Sequence, residues 1–120
     1  MRLRRPEDFR AVWSEGRSWA HSLFVVWANA SPLSHTRVGI TASRKVGNAV
    51  ARNRARRLLR EAARHVYSEL VDGWDIVLVA RASLLRVDAV LVENELRSML
   101  GRAGLLASAD EAQHATGRVE

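Results

Sequence analysis

The stretch from Arg44 to Arg64 limits the fold more than any other part of the chain. It holds eight bases (Arg44, Lys45, Arg52, Arg54, Arg56, Arg57, Arg60 and Arg64) and one acid, Glu61. Set Arg52 at 0° and step 100° per residue. Ala55, Leu58, Leu59, Ala62 and Val66 then fall within about 240–340°, and Asn53, Arg56, Arg57, Arg60 and Arg64 within about 40–140°. Such a segment is stable as a helix whose apolar stripe rests on a core while its basic face stays outside. Asn48 suits the N-cap, the helix is predicted to run to about Leu70, and Asp72-Gly73 ends it.

The rest of the chain supplies what that stripe can rest on. Pro6-Glu7-Asp8 reads as the first turn of a helix, with proline and acids where the helix start favours them. Phe9, Val12 and Trp13 follow at helical spacing, and Gly16 can stop it. Ser22 to Ala30 reads as a strand, with Phe24, Val26 and Ala28 on one side and Leu23, Val25 and Trp27 on the other. Arg37 to Ser43 alternates Val38, Ile40 and Ala42 against Gly39, Thr41 and Ser43, which reads as a second, half-buried strand. The β-branched run Ile76 to Ala80 reads as an interior strand. After Ser83 a last helix aligns Ala89, Val92, Leu96, Met99 and Leu100. The expected architecture is α+β, or mixed α/β: a single mixed sheet of about four strands with about three helices packed on it. Residues 1–103 are expected to form one domain and 104–120, rich in Ala, Ser and Gly, a flexible tail.

A chain of 120 residues is one domain in size and can bury a core without staples. The absence of cysteine excludes disulfides, cysteine–zinc sites, iron–sulfur ligation and thiol catalysis, and leaves the cytoplasm as the expected compartment. The longest strongly apolar run, Leu23 to Ala28, falls far short of the roughly 20 residues of a bilayer span. The basic start Met1 to Arg5 leads into Pro6-Glu7-Asp8 rather than an apolar stretch, so no signal peptide is expected.

The formal net charge is +6, yet outside Arg44–Arg64 the remaining residues hold 11 bases and 12 acids. The whole excess belongs to one helix and its approach. A merely solvated face mixes signs so that residues four apart attract. Here Arg52–Arg56, Arg56–Arg60 and Arg60–Arg64 repel, each by roughly 0.2–0.5 kcal/mol in an isolated helix. A helix that keeps three such pairs in register is built to meet a polyanion. Asn53 on the same face can donate and accept at a base edge, phosphate or ribose. Nucleic acid is therefore the expected partner. A membrane is not, because the other helix face is needed for the sheet. A helix-turn-helix DNA reader is not either, because flanking strands leave no partner helix. Arg54, near 200°, sits beside Glu61 and could pair there.

The run Arg44-Lys45-Val46-Gly47-Asn48-Ala49-Val50-Ala51-Arg52-Asn53-Arg54-Ala55-Arg56-Arg57-Leu58-Leu59-Arg60-Glu61 closely resembles the RNR signature of the bacterial ribonuclease P protein family. The likeness extends upstream through Leu3, Phe9, Val12, Gly16, Ser22 and Phe24 to Arg37-Val38-Gly39-Ile40, and covers roughly residues 3–100. Trp13 and Trp27 stand where the family often has Phe and Tyr, and Arg56 where Lys is common. The resemblance implies the small protein partner of a catalytic RNA that hydrolyses the 5′ leader from precursor tRNA, with Mg²⁺ held mainly by RNA. It implies an α/β sandwich with a left-handed βαβ crossover, against the usual hand. It also implies that Arg44, Lys45, Arg52, Asn53, Arg54, Arg56, Arg57, Arg60 and Arg64 face the catalytic RNA. A cleft between the first helix and the sheet would take the leader. Phe9, Trp13 and Trp27 match its aromatics, and aromatics beside a basic groove suit unpaired strands. Phe24 is assigned to the core, Trp19 and Trp74 are left open, and Arg2, Arg4 and Arg5 either extend the leader path or form a solvated end.

No catalytic group is expected in the chain itself. His21, His35, His65 and His114 lack metal-site spacing, Glu93 and Glu95 point to different faces of one helix, and Asp72 and Asp75 read as turn caps. Two alternatives stay open at this point: a ribosomal-type or RNA-chaperone binding module, and a stand-alone nuclease.

Overall fold

The computed structural model describes residues 2–107, which hold three α-helices and one four-stranded sheet. Helix α1 (Pro6–Glu15) starts on Pro6, which lacks the amide that a first helical turn leaves unpaired, and carries Glu7 and Asp8 in that turn. It stops at Gly16, whose amide donates to Val12 O. Strands β1 (Arg17–Ala20) and β2 (Phe24–Ala30) pair antiparallel. After β3 (Arg37–Ala42), a 3₁₀ turn over Arg44–Val46 leads into α2 (Ala49–Val66). A second 3₁₀ turn (Tyr67–Glu69) precedes β4 (Trp74–Ala80), and a third (Ala82–Arg86) precedes α3 (Ala89–Arg102).

The spatial order is β1-β2-β4-β3, with β4 antiparallel to β2 and parallel to β3. Thus α2 lies in the crossover between two neighbouring parallel strands. The N-terminal segment adds to the outer edge of β3: Arg2 bridges Val38, and the Leu3 amide donates to Val38 O at 3.0 Å. This covers part of an edge that would otherwise invite pairing with another chain.

Directly paired residues share a sheet face. Phe24, Val26 and Ala28 of β2 lie with Ile76, Leu78 and Ala80 of β4 and Val38 and Ala42 of β3. They form the main core with Ala55, Leu59, Ala62 and Val66 of α2 and Val92, Leu96, Met99 and Leu100 of α3. The other face carries a smaller cluster of Leu3, Val12 and Val77, with Phe9, Trp27 and Val79 packed on it. Strand β4 is buried on both faces, as its continuous β-branched run predicts. Phe24 lies fully in the core, and Trp19 and Trp74 pack half-buried against it.

Four details depart from the sequence reading. Strand β1 is not read from Arg-Ser-Trp-Ala, because four residues with one apolar side chain carry no periodicity. Helix α2 ends at Val66, and its expected last turn is 3₁₀. Asp75 does not cap a turn. It is buried and accepts Nε and Nη2 of Arg37 at 2.9 and 2.7 Å. The first residues of the expected tail are packed: Leu105 is buried, Leu106 bridges Leu70, and the Ala107 amide donates to Glu69 O. The rest of that segment, 108–120, lies outside the described residues.

Candidate nucleic-acid interface

The basic surface begins at the turn before α2. The Val46 amide donates to Ser43 O and the Gly47 amide to Arg44 O, closing the turn that carries Arg44 and Lys45. Gly47 then adopts φ 145°, a region that side chains other than hydrogen rarely enter. The Asn48 side chain accepts the Ala51 amide at 2.9 Å, and Nη1 of Arg52 reaches back to Gly47 O at 3.0 Å. Cap and guanidinium thus fix the turn to the helix from both sides. This gives a local reason for the Gly-Asn…Arg spacing: Arg52, half-buried, spends one donor on the backbone and keeps the others outward.

Along α2 the predicted face is present. Asn53, Arg57, Arg60 and Arg64 are exposed, Arg56 is half-buried, and Arg54 is exposed on the flank. Arg56 donates to Oδ1 of Asn53, so the asparagine keeps its amide free to donate. Only Arg64 among the predicted bases pairs with an acid among the described residues, and that acid is Glu61. The Arg64 guanidinium holds Glu61 below the usual carboxylate range. Glu61 also meets His65 at 3.1 Å, so the flank pairing open to Arg54 is not made. The remaining acids near α2 face α3 instead. Glu93 meets Nδ1 of His65 at 2.6 Å and Arg97 at 3.2 Å, and Glu69 takes a two-pronged bond from Arg97. Glu69 and Glu93 are thus drawn to the helix–helix seam, and apart from the Arg64–Glu61 pair the outer face has no acid partner among the described residues.

One neighbour escapes the sequence reading. The 3₁₀ turn Ala82–Arg86, which carries the exposed Arg86, packs against both the Arg44–Val46 turn and α2. Its segment reads as the start of the last helix, and only the sheet order brings it there.

The three predicted aromatics meet on the opposite face of the sheet. Phe9 and Trp13 lie 6.4 Å apart between ring centroids, and Trp13 meets Trp27 edge-on at 5.2 Å. Trp13 is 39% exposed, whereas Phe9 and Trp27 are half-buried. Phe9 can lie this low because residue 39 is glycine: a Cβ there would come within 2.7 Å of the ring. Helix α1 is held in this position by charge as well as by Val12. Arg37, already bound to Asp75, reaches Asp8 of α1 at 3.3 Å. Among the described residues no group of three or more His, Cys, Asp or Glu could hold a metal ion, and no helix is long and apolar enough to cross a membrane. His21 stacks on Phe24, accepts the Leu23 amide on Nδ1 and meets Glu95 with Nε2. His65 is bound on both nitrogens to glutamates.

A small basic α/β sandwich, with an unopposed arginine face on one side of its sheet and an aromatic shelf on the other, is a protein shaped for polyanionic strands. The Ribonuclease P family model matches residues 1–104. The ribonuclease P protein component of Dehalococcoides mccartyi (strain ATCC BAA-2266 / KCTC 15142 / 195) is 41% identical over 110 residues, which are 92% of this chain and 90% of that protein. That of Roseiflexus sp. (strain RS-1) is 36% identical over 113 residues, 93% of each. Among solved structures, the Staphylococcus aureus RNase P protein is similar at a TM-score of 0.78 with 31% identity, covering 88% of this chain and 96% of that one. The Thermotoga maritima RNase P protein is similar at 0.75 with 34% identity, covering 85% and 96%. The chain belongs to the ribonuclease P protein family. It is a subunit of an endoribonuclease whose catalytic RNA is a separate molecule.

Proposed function

We propose that this chain, working in the cytoplasm, seats the basic face of α2 and the Arg44–Val46 turn on the ribonuclease P catalytic RNA. In the same reading it holds the single-stranded 5′ leader of precursor tRNA along Phe9, Trp13 and Trp27. The observation that carries this reading is the division of labour across the sheet. Cations of which, among the described residues, only Arg64 has an acid partner lie on one face, and a partly exposed aromatic group lies on the other. Cations along a helix neutralise phosphates regardless of sequence and release counterions. Aromatic faces accept any base by stacking, which suits a strand whose sequence varies between precursors. Arg44, Lys45, Arg52, Asn53, Arg54, Arg56, Arg57, Arg60 and Arg64 serve the first surface.

The chain's share of cleavage is positioning and charge neutralisation. Among its described residues no group of three or more His, Cys, Asp or Glu comes together in a way that could hold a metal ion. The ion of the holoenzyme belongs to the RNA in this reading, and no step on this chain passes through it. Reconstitution tests the proposal. Precursor tRNA and Mg²⁺ are incubated with the protein alone, with the catalytic RNA alone and with both. Cleavage by the RNA that rises on adding protein, most of all at low RNA concentration, is the expected result. Cleavage by protein alone would make it a nuclease, and no stimulation would leave a plain binding module.

A further inference from the structure

A cleft of about 420 Å³ opens where the N-terminal segment, β3 and α2 meet. It falls within the roughly 300–1,000 Å³ of small-ligand sites. Its walls are apolar, from Leu3, Val38, Ile40, Ala63 and Tyr67, while Arg2, Arg60 and Arg64 also line it. The Tyr67 wall is fixed, because its hydroxyl donates to Thr36 O. On the wheel used above, Ala63, Tyr67, Arg60 and Arg64 fall within about 20–120°, the same side of the helix as Asn53, Arg56 and Arg57. The cleft is therefore the lower end of the arginine face and not a separate surface. It lies at the β3 edge of the sheet, where the N-terminal segment pairs with that strand.

We infer that this cleft receives the base of one unpaired nucleotide of the RNA lying on α2, with the flanking phosphates at Arg60, Arg64 and Arg2. An extruded base needs an apolar slot beside an aromatic wall, and the chain that carries it needs cations at the mouth. The cleft supplies both, and its continuity with the basic face puts a polynucleotide at its entrance. The inference rests on the proposed seating of α2 on the catalytic RNA. It adds a recognition element that is not electrostatic.

That difference gives the test. Ala63→Phe fills the slot and removes no charge. It is expected to weaken binding to the catalytic RNA roughly tenfold, within the cost of losing one stacked base, while the log–log salt slope stays at its wild-type value. Arg57→Ala serves as the control on the underlying reading, because it should lower the slope. If Arg57→Ala lowers the slope and Ala63→Phe binds like wild type, the cleft is overturned and the RNA face stands. If Arg57→Ala changes nothing, the RNA face itself has failed. Should Ala63→Phe not fold, methyl NMR of the wild-type protein decides. The Val38 and Ile40 methyls must shift upfield by ring current when the catalytic RNA is added. Unmoved methyls in a saturated complex would overturn the inference.

Discussion

At the scale of single residues, the site depends on positions that hold the backbone in place. Gly47 is the clearest. Its φ of 145° turns the chain from the Arg44–Val46 turn into α2, and a Cβ would also press on Ala51 at 3.0 Å. Gly47→Ala is expected to cost about 1–3 kcal/mol in denaturant unfolding and to weaken RNA binding without removing a charge. The signature hides other residues of this kind. Asn48 and Arg52 read as motif letters in the sequence, yet one caps the helix and the other ties it back to Gly47 O. Trp27 belongs to the other face. It meets Trp13 edge-on at 5.2 Å. Trp27→Ala is expected to weaken precursor tRNA binding by the holoenzyme about fivefold or more and mature tRNA little. Equal losses on both substrates would remove Trp27 from the leader path.

At the scale of elements, α1 and α3 are placed by ion pairs that periodicity does not reveal. The apolar stripes of α2 and α3, the alternation of β3 and the buried run of β4 were legible, because burial on one face or both writes itself as period 3.6, period 2 or no period. Pairings between residues far apart in sequence were not. Arg37 joins Asp75 on the neighbouring strand to Asp8 on α1, so it fixes the angle at which Phe9 and Trp13 overhang the sheet. Arg37→Ala strands the buried Asp75 and is expected to cost about 3 kcal/mol, the low end for a broken buried pair because Arg37 stays partly wet. The α2–α3 seam makes a pH prediction. Arg97 holds Glu69, and His65 with Arg97 holds Glu93, below the ordinary value of 4.5. Carboxylates lowered in the folded state bind protons more readily when unfolded. Their stabilisation is full above that ordinary value and is lost as pH falls from it through the lower folded values. Melting temperature should therefore drop as pH falls below about 4.5, and by less in a Glu69→Gln, Glu93→Gln variant.

At the scale of the whole molecule, one sheet separates the basic face of α2 from the aromatic shelf. Charge segregation in the sequence located the first: the excess lies in Arg44–Arg64, and the fold keeps acids off its outer face by engaging Glu69 and Glu93 with α3. The second was legible only through family likeness. Phe9 and Trp13 are neighbours on a helix, but nothing in their spacing says that Trp27 completes the group. The strand order β1-β2-β4-β3 does that, and it also brings the Ala82–Arg86 turn against α2. The central claim is that the free guanidinium groups of α2 bind phosphates of the catalytic RNA. It is tested most directly by measuring the affinity of Arg57→Ala for that RNA across a salt series. The account predicts weaker binding and a log–log slope shallower by about 0.7–0.9, the loss of one phosphate contact. Wild-type affinity with a wild-type slope would contradict it.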